Sequence, residues 1–191
     1  MSIALKLQND REILYARLKP KAMATPNHEW LACMVASWCL GESALPDYLG
    51  LELLQFNELA GHYFPDFDMP GQAPSGVRPD FSRMLERDDL VNLLKHYSRA
   101  STFENDCIIS IVVAGCLGND HLWQDLGLWS RAQLSAMLRY NFPELAARND
   151  KDMKWKKFLY KQLCEAEGLY LCRAPSCDVC CDYSKCYGAE D

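Results

Sequence analysis

Apolar residues recur at three- and four-residue spacing through most of this chain, and that period predicts helices in series. Trp30, Leu31, Met34, Val35 and Trp38 fall on one face of a helix that starts after Pro26-Asn27 and runs to Cys39-Leu40, with Gly41 as its stop. A shorter helix from Asp10 to Leu18 precedes it and ends at Pro20. Leu51, Leu54, Phe56 and Leu59 predict a third over residues 50–62, ended by Phe64-Pro65. The period returns from Phe81 to Tyr97 through Met84, Leu85, Leu90, Leu93 and Leu94. Ser101-Thr-Phe-Glu104 reads as a capping box, in which serine and glutamate satisfy the free amides of a helix start. The run it opens, residues 107–117, is apolar almost all round, so it is predicted to be a central helix closing at Gly118.

Ser130-Arg-Ala-Gln133 reads as a second capping box, opening a helix that stops before Pro143. Asn149 is predicted to cap the last helix, with Asp150 and Asp152 in its first turn and Gly168 at its end. Trp155, Phe158, Leu159, Gln162 and Leu163 form its inward face. Residues 65–80 carry Pro65, Pro70, Pro74 and Pro79 with Gly71 and Gly76, and read as a long loop. No segment reads as a convincing strand. The expected fold is all-α, a compact multi-helix domain over residues 1–168 with a cysteine-rich segment over 169–191 as part of the same unit.

That final segment changes the picture from fold to chemistry. Six of the ten cysteines, Cys164, Cys172, Cys177, Cys180, Cys181 and Cys186, lie near the C-terminus. Their outer pattern from Cys172 is C-x4-C-x2-C-x5-C, with Pro175-Ser176, Asp178, Asp182 and Ser184 supplying turns between them. Thiolates so closely spaced can surround one centre, and soft sulfur selects zinc, copper(I) or an iron–sulfur cluster. Structural zinc usually takes two knuckles separated by a longer insert, whereas here one knuckle, Cys177-x2-Cys180, is flanked closely on both sides. Tight runs of this kind are typical of clusters. Zinc and a redox dithiol remain the alternatives, and spacing does not choose between Cys180 and Cys181. Cys33, Cys39, Cys107 and Cys116 sit in apolar surroundings and read as core residues.

Lys154, Lys157 and Lys161 stand at i, i+3 and i+7, away from Trp155 and Phe158. They read as a solvated helix face or, next to a metal site, as an oxyanion-attracting patch. His121 reads first as a structural hydrogen-bonding residue and second as the best non-cysteine metal ligand. The formal net charge of −6 argues against a nucleic-acid partner. No stretch approaches the length of a membrane span, and the N-terminus carries charges where a signal peptide would be apolar, so a cytoplasmic protein is expected. Nucleotide-binding and hydrolase motifs are absent from the sequence.

Several stretches resemble the NifQ family of nitrogen-fixation molybdenum proteins. They are Asn149-Asp-Lys-Asp-Met-Lys-Trp-Lys-Lys-Phe-Leu-Tyr-Lys-Gln-Leu-Cys-Glu, the four-cysteine pattern with Cys186-Tyr-Gly, His121-Leu-Trp-Gln-Asp-Leu-Gly-Leu, Leu45-Pro-Asp-Tyr-Leu-Gly-Leu and His62-Tyr-Phe-Pro. The resemblance runs from about residue 30 to residue 188. It implies a donor rather than a turnover enzyme: a carrier holding an iron–sulfur cluster of 3Fe–4S or 4Fe–4S type and a molybdenum–iron–sulfur form of it. The family passes molybdenum to the NifEN scaffold, with NifH taking part, for the iron–molybdenum cofactor of nitrogenase. Carried over, the ligands are Cys172, Cys177, Cys180 and Cys186, and the pattern selects Cys180 over Cys181. Molybdenum arriving as molybdate, an oxyanion, would give Lys154, Lys157 and Lys161 a use, and His121 could serve as a further ligand. A zinc-stapled helical interaction domain is the competing reading.

Overall fold

The computed structural model describes residues 3–19, 25–67, 84 and 86–166. The predicted 65–80 loop falls mostly outside these residues, as do Gly168 and the whole of Cys172–Cys186. Among the described residues there are nine α-helices and no strand. They are α1 (Ile3–Leu18), α2 (Pro26–Cys39), α3 (Leu53–Tyr63), α4 (Arg87–His96), α5 (Phe103–Gly115), α6 (Leu122–Asp125), α7 (Arg131–Asn141), α8 (Pro143–Ala147) and α9 (Trp155–Ala166). The all-α expectation holds over this range, and no helix in it is long and apolar enough to cross a membrane.

Two helices form the centre. In α5 every residue from Cys107 to Gly115 except Ser110 is buried, as a sequence apolar all round requires. In α2 burial extends well beyond the expected single face: every residue from Asn27 to Ser37 except Glu29 is enclosed. The polar ones are satisfied inside. Asn27 and Asn141 exchange side-chain amide bonds at 3.0 and 2.7 Å, and His28 Nε2 lies 3.0 Å from the Leu18 carbonyl oxygen. Around this centre α1 and α7 pack on α2, and α3 and α4 on α5, while α9 lies against α4.

Three local expectations are corrected. The cap of α5 is Thr102, whose hydroxyl accepts from the Asn105 N–H at 3.2 Å; Glu104 instead accepts from the Asn27 amide. Leu54, assigned to the buried face of α3, is 82% exposed, because α3 starts only at Leu53 and buries Phe56, Leu59 and Tyr63. The fourth helix begins at Arg87, so Met84 packs in the core from outside it. Ahead of α3, Asp47–Gly50 makes a short 3-10 turn in which Tyr48 and Leu49 both take left-handed backbone angles (φ 57° and 60°). That conformation costs about 1–2 kcal/mol per residue, and it inserts Leu49 into the core beside α5. Gly50 completes the turn at φ +83°, where an added Cβ would stand 2.6 Å from that of Ala114.

Candidate functional site

Helix α9 is the element from which the chain continues toward the cysteine pattern, so its anchoring decides what the site rests on. Trp155, Phe158, Leu159, Gln162 and Leu163 are buried as expected, and Tyr160 joins them. Trp155 Nε1 donates to Ser135 Oγ at 2.9 Å, fixing the start of α9 on α7. Ser130 caps α7 as expected by accepting from the Gln133 N–H, although Gln133 Oε1 returns to Trp129 N rather than to Ser130.

Asn149 does not cap α9, which begins six residues later. Its side chain instead closes a turn on Met153, accepting from the Met153 N–H at 2.8 Å and donating to the Met153 carbonyl at 3.0 Å. Asp150 and Asp152 belong to that connection and not to the first helical turn. Asp152 has φ 51° and is gripped by Arg131, whose guanidinium reaches both carboxylate oxygens at 2.6 and 2.8 Å. The hydrogen bond from Arg131 holds the Asp152 carboxyl below the usual carboxylate range.

Beside these lies a residue the sequence reading passed over. Lys156, only 8% exposed, donates from Nζ to the carbonyls of Gly118 at 2.9 Å and Asp120 at 2.8 Å, and to Asp125 Oδ2. Asp125 is 2% exposed and its other oxygen accepts from the Asp120 N–H. Burial pushes the Asp125 carboxyl up, against the pull of the adjacent ammonium. Gly118 is required here, since a Cβ would lie 2.2 Å from the Asp125 carboxyl group. The signal was present in the spacing: Lys156 precedes Tyr160 by four residues and follows Trp155, so both flanks of its position are apolar.

His121 is the N-cap of α6, and its backbone N–H donates to Gln124 Oε1 at 3.2 Å. It follows Asp120, whose carbonyl Lys156 holds, so the His121 turn is docked on the first turn of α9. The other end of α9 is about 18 Å away at 1.5 Å per residue. The lysine stripe is divided. Lys154 precedes the helix, Lys157 lies half-buried within it, and Lys161 pairs with Glu165 at 3.3 Å. Lys161 also lines a cleft of about 420 Å³ with Arg148, Lys151 and Gln162.

Cys33, Cys107 and Cys116 are buried and Cys39 half-buried, in keeping with core roles. Burial pushes the thiols of Cys33, Cys107 and Cys116 up to about 12 and that of Cys39 to about 11, so they stay protonated and inert at neutral pH. Cys164 lies half-buried on α9. No three His, Cys, Asp or Glu side chains converge as a metal site among the described residues. The candidate ligands Cys172, Cys177, Cys180 and Cys186, with Cys181, lie outside those residues.

The described residues form an all-α fold whose last helix, locked at its start, is followed in the sequence by the closely spaced set of four thiols. The NifQ family model matches residues 30–188, an interval that contains all four cysteines, and the chain belongs to that family. It is 45% identical to Protein NifQ of Azotobacter vinelandii, covering 86% of this chain and 89% of the relative. It is 36% identical to a NifQ homolog of Sinorhizobium fredii (79% and 65%) and 34% identical to Protein NifQ of Rhodobacter capsulatus (68% and 67%). No solved structure matches the chain.

Proposed function

We propose that this protein is a cytoplasmic metallocluster carrier that donates molybdenum for assembly of the nitrogenase iron–molybdenum cofactor. The observation that carries the reading is the four-cysteine set Cys172, Cys177, Cys180 and Cys186 within the family interval, following the anchored helix α9. The donor set fits the group: four soft thiolates at this spacing suit an iron–sulfur cluster, which when bound would supply sulfide bridges to molybdenum. Molybdenum is cargo in this scheme. The chain's own part is to hold and release it, without turnover, toward the NifEN scaffold with NifH as a further partner.

The division of labour between body and segment supports that role. Cys33, Cys107 and Cys116 of the described body are buried and protonated, so they do not compete for metal. A carrier must also keep its docking frame while cargo is exchanged, and the buried Lys156–Asp125 contact gives α9 such a frame.

Anaerobic purification followed by iron, sulfide, molybdenum and zinc analysis tests the proposal. Brown protein holding iron, sulfide and molybdenum is expected, and single Cys→Ala changes at positions 172, 177, 180 and 186 should each lower metal content. Colourless protein with stoichiometric zinc would reject the carrier and leave a zinc-stapled interaction domain.

A further inference from the structure

We infer that the cleft between the α8–α9 connection and the C-terminal half of α9 is a binding site for a small tetrahedral oxyanion carrying two negative charges. Three cations line it, Arg148, Lys151 and Lys161, against the carboxylates of Asp150 and Glu165. The lining is therefore net positive in a chain whose formal charge is −6. One of the two carboxylates is already engaged: Glu165 accepts from Gln162 Nε2 at 2.7 Å and pairs with Lys161. That pair is exposed at both ends, so it is worth less than about 1 kcal/mol and yields readily to a stronger partner.

Arg148 supplies the directional donor. Its guanidinium carbon lies over the Tyr97 ring, 4.8 Å from the centroid, a cation–π contact that holds the fork in place before any ligand arrives. Among the described residues only one of its nitrogens has a hydrogen-bond partner, Gln162 Oε1 at a long 3.4 Å. A planar fork of this kind binds two oxygens of a tetrahedral anion side by side. Lys151 stands on the exposed connection and has no ion-pair partner among the described residues, so its ammonium is free to close over the anion. At about 420 Å³ the cleft is much larger than a desolvated oxyanion, which would enter with part of its water shell. Charge rather than close fit would then set affinity, giving a site that captures an anion and gives it up again.

The position gives the cleft a use. Glu165 on its wall is seven residues before Cys172, a separation that extended chain spans in about 25 Å at most. Molybdate is the member of the anion class that the carrier would require, and that identification rests on the proposed function; the charge and geometry argument for the cleft does not. This also reassigns the expected patch: Lys161 takes part, with Arg148 and Lys151 rather than with Lys154 and Lys157.

Equilibrium dialysis of the full chain against molybdate, with sulfate and phosphate as competitors, tests the inference. Wild-type protein should bind about one dianion per chain at low salt, with affinity falling several-fold in 0.3 M NaCl, a salt range over which the screening length shrinks. The R148Q/K151Q variant should bind at least tenfold more weakly while retaining its iron and sulfide. Unchanged binding in that variant, or none in the wild type, would overturn the site. Binding lost in C177A/C180A but kept in R148Q/K151Q would place the anion on the thiols, ending the cleft and sparing the carrier. Sulfate or phosphate displacing molybdate at equal concentration would keep the oxyanion site and remove molybdate as its ligand.

Discussion

Two positions on α9 treat the same kind of residue in opposite ways. Lys156 is sealed in the first turn by an aspartate and two carbonyls, whereas Lys161, five residues on, shares an open cleft with other cations. Both belong to one lysine-rich stretch in the sequence. The difference is set by what the rest of the chain brings opposite each position: the 118–125 turn against Lys156, and the open α8–α9 connection beside Lys161. A buried charge must have its countercharge and hydrogen bonds in place, which fixes geometry, while an exposed charge remains available to a ligand. The helix thus combines a locked base with an accessible flank.

The largest effect should come from breaking the base. Lys156→Ala leaves Asp125 enclosed without a countercharge and is expected to cost about 3–5 kcal/mol. Lys161→Ala, removing an exposed pair, should cost no more than about 1 kcal/mol. Urea unfolding of both variants checks this, and similar losses would erase the distinction between the two positions.

Gly118→Ala attacks the same lock from its other side without removing any charge. The new Cβ would overlap the Asp125 carboxyl group, and an overpacked site of this kind is expected to lose about 1–3 kcal/mol. Gly61→Ala on α3, where nothing lies within 4 Å of the new Cβ, should be neutral or stabilising by up to about 1 kcal/mol. Thermal denaturation of the pair separates a steric requirement from the general preference of helices for alanine.

Much of this architecture was readable because its causes are local. The all-round apolar run of α5, the Pro26 start of α2, the Ser130 cap of α7 and the inward face of α9 each follow from spacing within a dozen residues. The misreadings have non-local causes. Ser101 and Thr102 are both competent caps, and the choice fell to Thr102 with Glu104 engaged by Asn27, 77 residues away. Leu54 has the apolar character of a core residue, yet α3 turns it to solvent. Lys156 was passed over because its partner Asp125 is 31 residues upstream: local spacing shows the apolar flanks but not the countercharge. The candidate cysteine ligands are the reverse case: their spacing is among the strongest signals in the sequence, and they lie outside the described residues.

The smallest expected effect concerns a buried polar group with no countercharge, which sharpens the contrast with Lys156. His28 is 7% exposed, lies edge-on to Tyr63 and Phe64 with ring centroids 5.2 Å away, and in its neutral form donates from Nε2 to the Leu18 carbonyl. Where Lys156 is enclosed beside a carboxylate, His28 is enclosed without one: burial lowers its pKa below the ordinary 6.5, opposed by the Leu18 carbonyl and assisted by nearby His62. A depressed pKa in the folded state means that the unfolded chain takes up the proton first as pH falls. The stability His28 contributes is therefore complete above about pH 6.5 and is lost as pH drops toward its folded pKa, at no more than about tenfold in the unfolding constant per pH unit. Urea midpoints for wild type and His28→Gln, measured from pH 7.5 to 5.5, should converge as pH falls, because only the wild type carries this titration. Parallel curves would mean that His28 titrates in the fold as it does in the open chain, and that its enclosure, unlike that of Lys156, imposes no electrostatic condition on the structure.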